Sequence, residues 1–118
     1  MKLQEHQKFR KAKAGDWLVV PKDMRFGDGW VRSRLKLGGN LSYSSNIVID
    51  GGVYKILYIN QMDTKNSRIK DLVIQFEDGD NRYAIRAEDL RSECGYFRDR
   101  FTADVAFHSG NLQAVNGR

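Results

Sequence analysis

The residues best suited to chemistry in this sequence form a basic and aromatic stripe that runs from Trp30 to Lys36. In an extended chain, alternate side chains share a face. One face would then carry an aromatic ring and three cations, namely Trp30, Arg32, Arg34 and Lys36, and the other would carry Val31, Leu35 and Leu37. Cations neutralise phosphates and an indole stacks on a base, so the stripe suits nucleic acid. The same residues also suit an edge strand that uses charge to prevent aggregation, and both interpretations stay open.

A second basic cluster comes just before the first predicted strand. It consists of Lys8, Arg10, Lys11 and Lys13. Basic arms often lie along phosphates, whereas the solvated face of a short helix has the same composition. The two clusters gain a common meaning only if they lie on one side of the molecule.

The charge of the chain is uneven along its length. Its 118 residues include 20 Lys and Arg against 15 Asp and Glu, a net charge of +5. Residues 1–36 hold ten basic and four acidic side chains, whereas residues 37–118 hold ten basic and eleven acidic ones. The excess in the first third indicates an anionic partner, either nucleic acid (DNA or RNA) or an acidic protein surface.

The other reactive residue types lack the spacing that catalysis or metal binding needs. His6 and His108 have no Cys or His at ligand spacing, and Cys94 has no basic neighbour in the sequence. The acidic segment 77–81 fits a hairpin turn and does not have the ligand series of an EF-hand loop. We therefore expect a protein that is not an enzyme and has no cofactor, metal ion or small-molecule substrate.

Composition also favours a cytoplasmic protein without a membrane partner. No apolar run approaches the roughly 20 residues that span a bilayer. Residues 1–10 lack the apolar core of a secretory signal. The single cysteine, Cys94, offers no internal disulfide, as is usual in a reducing compartment.

Short Val, Ile, Tyr and Phe segments separated by glycines predict a mainly β protein. The first strand covers 16–20, where Pro21 stops it, and a central strand covers 53–59. Residues 71–90 alternate on both sides of Asp78-Gly79, which predicts a β-hairpin, and 60–70 read as a polar loop.

Four further segments frame this pattern. Residues 2–13 form a short helix or a loose arm, and 22–51 are too long for an unstructured connection, so this loop is functional or holds its own strands. Residues 88–94 form one helical turn that Gly95 ends. From Ser109 the tail is expected to fray. The later apolar side chains predicted to pack on the sheet are Tyr96, Phe97, Phe101, Val105 and Phe107.

The order of these segments resembles small SH3-like barrels, including KOW-type and Tudor-type modules. The resemblance is carried by four segments, namely Ala14–Val20, Gly52–Tyr58, Leu72–Gly79 and Tyr83–Leu90. It implies a small SH3-like β-barrel over 14–92 with a long basic loop at 22–51. An N-terminal arm or helix at 1–13 and a C-terminal extension at 93–118 would flank the barrel. In size and charge the chain is also similar to small accessory proteins of tailed bacteriophages.

These observations predict a nucleic-acid-binding module of low sequence specificity. Arg32, Arg34 and Lys36 would contact phosphates, Trp30 would stack, and the cluster Lys8 to Lys13 would add long-range attraction. The alternative is a protein-interaction module, for example a phage modulator of a host complex. It would use the same loop or an open barrel edge against an acidic protein surface.

Overall fold

The computed structural model describes residues 9, 11–33, 40–62, 71–90 and 93–110, and it is mainly β. The strands are β1 (Trp17–Val20), β2 (Met24–Phe26), β3 (Gly29–Ser33), β4 (Ser42–Ser44), β5 (Ile47–Ile49), β6 (Gly52–Met62), β7 (Asp71–Asp78), β8 (Asn81–Arg86) and β9 (Gly95–Phe97). The helices are α1 (Ala87–Leu90) and α2 (Arg100–Ser109). Seven strands form one antiparallel sheet in the order β4-β3-β8-β7-β6-β1-β9, and β2 and β5 form a two-stranded ribbon.

The predicted hairpin is confirmed by β7 and β8, which pair over their whole shared length. Gly79 lies in the turn with a φ of 62°, a conformation that glycine adopts without strain. Ile74 and Phe76 are fully buried on the inner face of the sheet. The alternation of side chains therefore sets which face of this hairpin builds the core.

The predicted central strand is confirmed and is longer than expected. β6 pairs with β1 on one side and with β7 on the other. Residues 60–62, predicted as part of a polar loop, belong to β6 because Asn60 and Gln61 continue its ladder with β7. The rest of that loop, 63–70, lies outside the described residues. The first strand is also confirmed, as β1.

The described part of the long segment 22–51 holds four strands of its own, which is the second of the two possibilities predicted for it. β2 and β5 pair so that Phe26 lies opposite Ile47, and both side chains are buried. β3 joins the large sheet beside β8, and β4 pairs with β3. The part of the stripe that is described, up to Ser33, is extended as predicted.

The inner face of the sheet surrounds the larger of two apolar clusters. Side chains from the sheet, the β2–β5 ribbon and α1 meet there, and Phe9 of the N-terminal segment is fully buried among them. The outer face carries a smaller cluster, in which α2 packs over β1 and β9 through Ala103 and Ala106. β4 and β9 are the two edges of the sheet, so in the described residues the sheet is not closed.

The C-terminal segment differs from its prediction. Tyr96, Phe97 and Phe107 pack on the apolar clusters, as expected. The predicted packing of Phe101 and Val105 is wrong, because their exposed fractions are 77% and 40%. The reason is that alanines, not these larger side chains, form the face of α2 that meets the sheet.

Both helices are short, and they follow β8 and β9 in the chain. The Asp99 carboxylate caps α2 by accepting a hydrogen bond from the Thr102 amide (3.0 Å). α1 starts one residue before the predicted turn, and Gly95 opens β9. Within the described segments, neither helix has the length and apolarity needed to cross a membrane.

An acidic cluster surrounds the Tyr54 hydroxyl at the hairpin end of the sheet. Tyr54 donates a hydrogen bond to the carbonyl oxygen of Asp50. Burial, followed by the charges of Asp78, Asp50 and Asp23, raises the pKa of Tyr54, so its hydroxyl stays protonated. Burial, followed by the charge of Asp50, also raises the pKa of Asp78 above its ordinary value of 3.8.

This cluster predicts that Asp78→Asn stabilises the protein at neutral pH. Because the folded state raises the pKa of Asp78, it holds that proton more tightly than the unfolded chain does. The free energy of unfolding therefore falls as the pH rises from 3.8, the ordinary pKa of this carboxyl, through its raised pKa in the folded protein. Urea unfolding at acidic and neutral pH should show a flatter pH dependence for Asp78→Asn. Asp80→Asn, in the same turn, is the matched control, and an unchanged pH dependence in Asp78→Asn would contradict the prediction.

Candidate nucleic-acid interface

Among the described residues, α2 covers one end of the outer face of the sheet. α2 lies over β1, β6 and β9. Over β3, β8 and β7, the outward positions alternate with core positions such as Tyr83 and Ile85. On β3 the outward side chains are Trp30 and Arg32, as the stripe predicts, because they pair with Ala84 and Arg82.

Three cations lie in a row that runs from β3 and β8 to β6, at the border of the part that α2 covers. Arg32 of β3 pairs with Arg82 of β8, and Arg82 pairs with Glu77 of β7. Ile56 pairs with Phe76, so Lys55 takes the next outward position of β6, beside Glu77. We call Arg32, Arg82 and Lys55 the basic row. With strands about 4.8 Å apart, it spans about 15 Å.

Two members of the basic row carry like charges at directly paired positions. Like charges that face each other on neighbouring strands are destabilising, and Arg32 and Arg82 are direct partners. Within the described residues, Arg82 and Lys55 form no ion pair with a carboxylate. Glu77 is the single acidic residue at the described positions along the row.

Exposed aromatic rings flank the basic row. Tyr58 of β6 is 52% exposed and Tyr43 of β4 is 61% exposed. A shallow pocket of about 290 Å³ opens between the two arginines and Tyr58, and it is lined by Arg32, Leu41, Tyr58, Gln75 and Arg82. Rings that present a face beside cations can stack on bases while the cations hold phosphates.

A chain of two amides holds Arg82 in place at the floor of this pocket. The Nε of Arg82 donates to Oε1 of Gln75 (3.0 Å). The Nε2 of Gln75 donates in turn to Oδ1 of Asn60 (3.2 Å). Gln75 is buried, so the guanidinium of Arg82 is anchored to the sheet through its Nε.

A third arginine on the same strand has a different environment. Arg86 is only 2% exposed and pairs with the carboxylate of Asp28. Its Nε lies 3.4 Å from the Asp89 carboxylate and 3.9 Å from that of Glu88. Arg86 therefore links β8 to α1 and to the loop before β3. Because its side chain is buried, it is not accessible to a ligand.

Trp30 covers this buried arginine. The guanidinium of Arg86 lies 5.8 Å from the centroid of the Trp30 ring, and Tyr43 meets the same ring edge-on at 6.2 Å. The indole is half-buried. Trp30 thus shares the predicted face, and its packing leaves Tyr43 and Tyr58 as the more exposed rings.

The two described members of the second basic cluster, Lys11 and Lys13, lie near β1, on the far side of the sheet from β3. Lys11 and Lys13 are exposed and precede β1, and Arg98 donates to the Lys11 carbonyl oxygen (3.0 Å). Three strands, β8, β7 and β6, separate β1 from β3. Lys11 and Lys13 therefore do not join Arg32 directly. The remaining predicted site residues, namely Lys8, Arg10, Arg34 and Lys36, lie outside the described residues.

Sequence reasoning did not select Arg82, Lys55 or Tyr58 for the site. Arg82 alternates with core residues in the hairpin, which is the signal that could have found it. Lys55 and Tyr58 lie in a strand that is apolar on both faces. A register shift between Ile56 and Tyr58 places Tyr58 opposite Gln75 on the outer face.

Among the described residues, no group of three or more His, Cys, Asp or Glu side chains could hold a metal ion. Cys94 is buried, with its sulfur 3.8 Å from that of Met24. No family model matches this sequence, and comparisons with curated proteins and with solved structures give no significant match. The interpretation of the outer face therefore rests on its own chemistry.

Proposed function

We propose that this protein binds single-stranded nucleic acid on the outer face of its sheet, with low sequence specificity and without catalysis. The observation that carries the proposal is the direct pairing of Arg32 with Arg82 beside the exposed ring of Tyr58. Two cations placed side by side suit a ligand whose negative charges repeat along a chain.

In this proposal the sugar-phosphate backbone follows the basic row across the strands. Each phosphate that an arginine or lysine neutralises releases counterions, which supplies salt-dependent affinity. Bases stack on Tyr58 and Tyr43, and stacking accepts every base because each has a π-face. Stacking needs unpaired bases, so single strands are favoured over duplexes.

The other basic residues predicted from the sequence have two proposed roles, phosphate contact and long-range attraction. Arg34 and Lys36 come shortly after Arg32 in the sequence, and their proposed role is contact with phosphates. Lys8, Arg10, Lys11 and Lys13 would contribute long-range attraction. In this proposal the protein acts in the cytoplasm and takes no cofactor.

For residues 14–92 we retain an SH3-like barrel of the KOW or Tudor kind as the proposed fold type. Three features support it: an antiparallel sheet around the larger apolar cluster, the β7–β8 hairpin, and the single turn of α1 after β8. β9 adds a strand from the predicted C-terminal extension to the edge of this sheet.

The test is a titration of a labelled mixed-sequence single strand at increasing salt. The expected result is an affinity that falls linearly with salt on logarithmic axes, with weaker binding to the matching duplex. Binding that does not change with salt, or no binding at low salt, would overturn the proposal.

A second candidate function, protein interaction, is favoured by one observation. Phe101 and Val105 lie one helical turn apart on α2 and are both exposed. Exposed apolar side chains on one helix face suit a protein partner. Capture from a lysate treated with nuclease separates the two functions, since a partner that survives the nuclease and is lost in Phe101→Ser favours this one.

A further inference from the structure

We propose that the pocket between Arg32 and Arg82 holds the terminal phosphate of a single strand, so that a phosphorylated end binds more tightly than a hydroxyl end. The inference rests on the proposed function and names the part of the strand that this pocket recognises. Its basis is that two arginines and one exposed aromatic ring, that of Tyr58, line the same pocket.

The two arginines reach this pocket from neighbouring strands. Arg32 of β3 and Arg82 of β8 are direct partners in the ladder. Directly paired side chains have Cβ atoms about 4.5–5.5 Å apart, so both guanidinium groups can contact one small anion. Glu77 pairs with Arg82, but it does not line the pocket, and the described residues that do line it include no carboxylate.

Both arginines turn their Nε atoms toward the protein. The Nε of Arg82 donates to Oε1 of the buried Gln75 (3.0 Å). The Nε of Arg32 is also buried. Each guanidinium carries four more N–H donors on its two terminal nitrogens. Those terminal nitrogens are therefore the ends that a ligand in the pocket meets.

A terminal phosphate suits this pair of cations better than an internal phosphate does. A phosphate monoester carries a charge of about −1.5 to −2 at neutral pH and three acceptor oxygens. An internal phosphodiester carries a single negative charge, which one arginine already balances. Charge-assisted hydrogen bonds from two planar guanidinium groups can therefore be satisfied together by the monoester.

Tyr58 extends the site to the nucleotide that carries the terminal phosphate. Its exposed ring lines the pocket beside the two arginines. The last base of a strand has only one neighbouring base, so its other face is open to stack on an aromatic side chain. The phosphates that follow then lie along the basic row toward Lys55.

The experiment compares labelled mixed-sequence strands that differ only at one end, with the label at the opposite end. One strand has a 5′ phosphate, one has a 3′ phosphate, and the reference is a hydroxyl-ended strand one nucleotide longer, which has the same number of phosphates. A phosphorylated strand should bind wild type about tenfold more tightly than the reference. This factor equals about 1.4 kcal/mol, the scale of one hydrogen bond to a charged group.

Two variants test whether the pocket causes this ratio of affinities. Arg82→Lys keeps the charge but loses the planar fork and its bond to Gln75, so the ratio should fall close to one. Arg25→Ala removes an exposed cation from the separate ribbon and should keep the full ratio. An undiminished ratio in Arg82→Lys would overturn the assignment of the terminal phosphate to this pocket.

The remaining outcomes separate this inference from the proposed function. A ratio of one for both phosphorylated ends in wild type, with the reference strand still bound at low salt, would overturn end recognition and leave single-strand binding intact. If no strand binds at low salt, the proposed function itself fails. Thymidine 5′-monophosphate should bind far more weakly than the phosphorylated strand, because it lacks the contacts along the basic row. Equal affinity would mean that the pocket takes a free nucleotide, which would overturn recognition of a strand end.

Discussion

Replacing Arg32 and Arg82 together by alanine is expected to lower the affinity for single-stranded nucleic acid about a hundredfold at low salt. A hydrogen bond to a charged group contributes about 1.5 kcal/mol or more, and two of them about 3 kcal/mol. The logarithmic salt slope should also become shallower by about 1.4, since each single-strand phosphate contact contributes about 0.7. Anisotropy titrations over a range of salt measure both quantities.

Arg25→Ala is the matched control for this loss of charge. Arg25 is exposed on β2, in the separate ribbon, where it donates to the side chain of Asn46 (2.6 Å). Its removal should change the affinity little and leave the slope nearly unchanged. Equal losses in Arg25→Ala and in Arg82→Ala would mean that binding follows net charge alone and not the basic row.

Arg86→Ala is expected to lower the free energy of unfolding by about 3–5 kcal/mol, the largest stability effect of any arginine on the outer face. The side chain is 2% exposed and is surrounded by the carboxylates of Asp28, Glu88 and Asp89. Removing the cation leaves these charges close together without their counterion, and it removes the support beneath Trp30. Urea denaturation monitored by tryptophan fluorescence measures the loss.

Arg82→Ala provides the comparison, because Arg82 lies on the same strand and the same face. It is half-buried, and its hydrogen bond is to a neutral amide. Its replacement should change the free energy of unfolding by less than about 1 kcal/mol, and relief of the repulsion with Arg32 offsets part of any loss. If Arg86→Ala unfolds like wild type, the buried ion-pair cluster does not stabilise the fold and its assignment is wrong.

The sequence predicts pairing between strands that are close in the chain better than pairing between strands that are far apart in the chain. The β7–β8 hairpin could be predicted because its pairing is local and its turn contains Gly79. The partner of β3 is β8, about fifty residues later in the chain, and no pattern in residues 22–51 names it. Arg32 could thus be selected from the stripe, whereas its pairing with Arg82 could not.

The helix α2 shows a second limit. Phe101 and Val105 are apolar, so hydrophobicity alone places them in the core. The cap at Asp99 fixes where the helix begins, and the fit of the small side chains Ala103 and Ala106 against the sheet fixes which face turns inward. That choice depends on close packing between two elements, which the pattern of apolar residues does not encode.

The positive charge of the candidate site and part of its position could be predicted from the sequence. Trp30 and Arg32 share the face that the alternation predicts. Tyr58 depends on a bulge in β6, and Lys55 depends on the register between β6 and β7. Both features belong to the tertiary structure, so the site becomes visible only when the strands are placed side by side.

Backbone amide chemical-shift mapping with oligothymidine tests the central claim most directly, because it locates the bound strand on the protein. The predicted result is that the largest shifts lie at Arg32 of β3, Arg82 of β8 and Tyr58 of β6, with little change along β2 and β5. Saturable shifts confined to α2 around Phe101, with none on those three strands, would contradict nucleic-acid binding on the outer face.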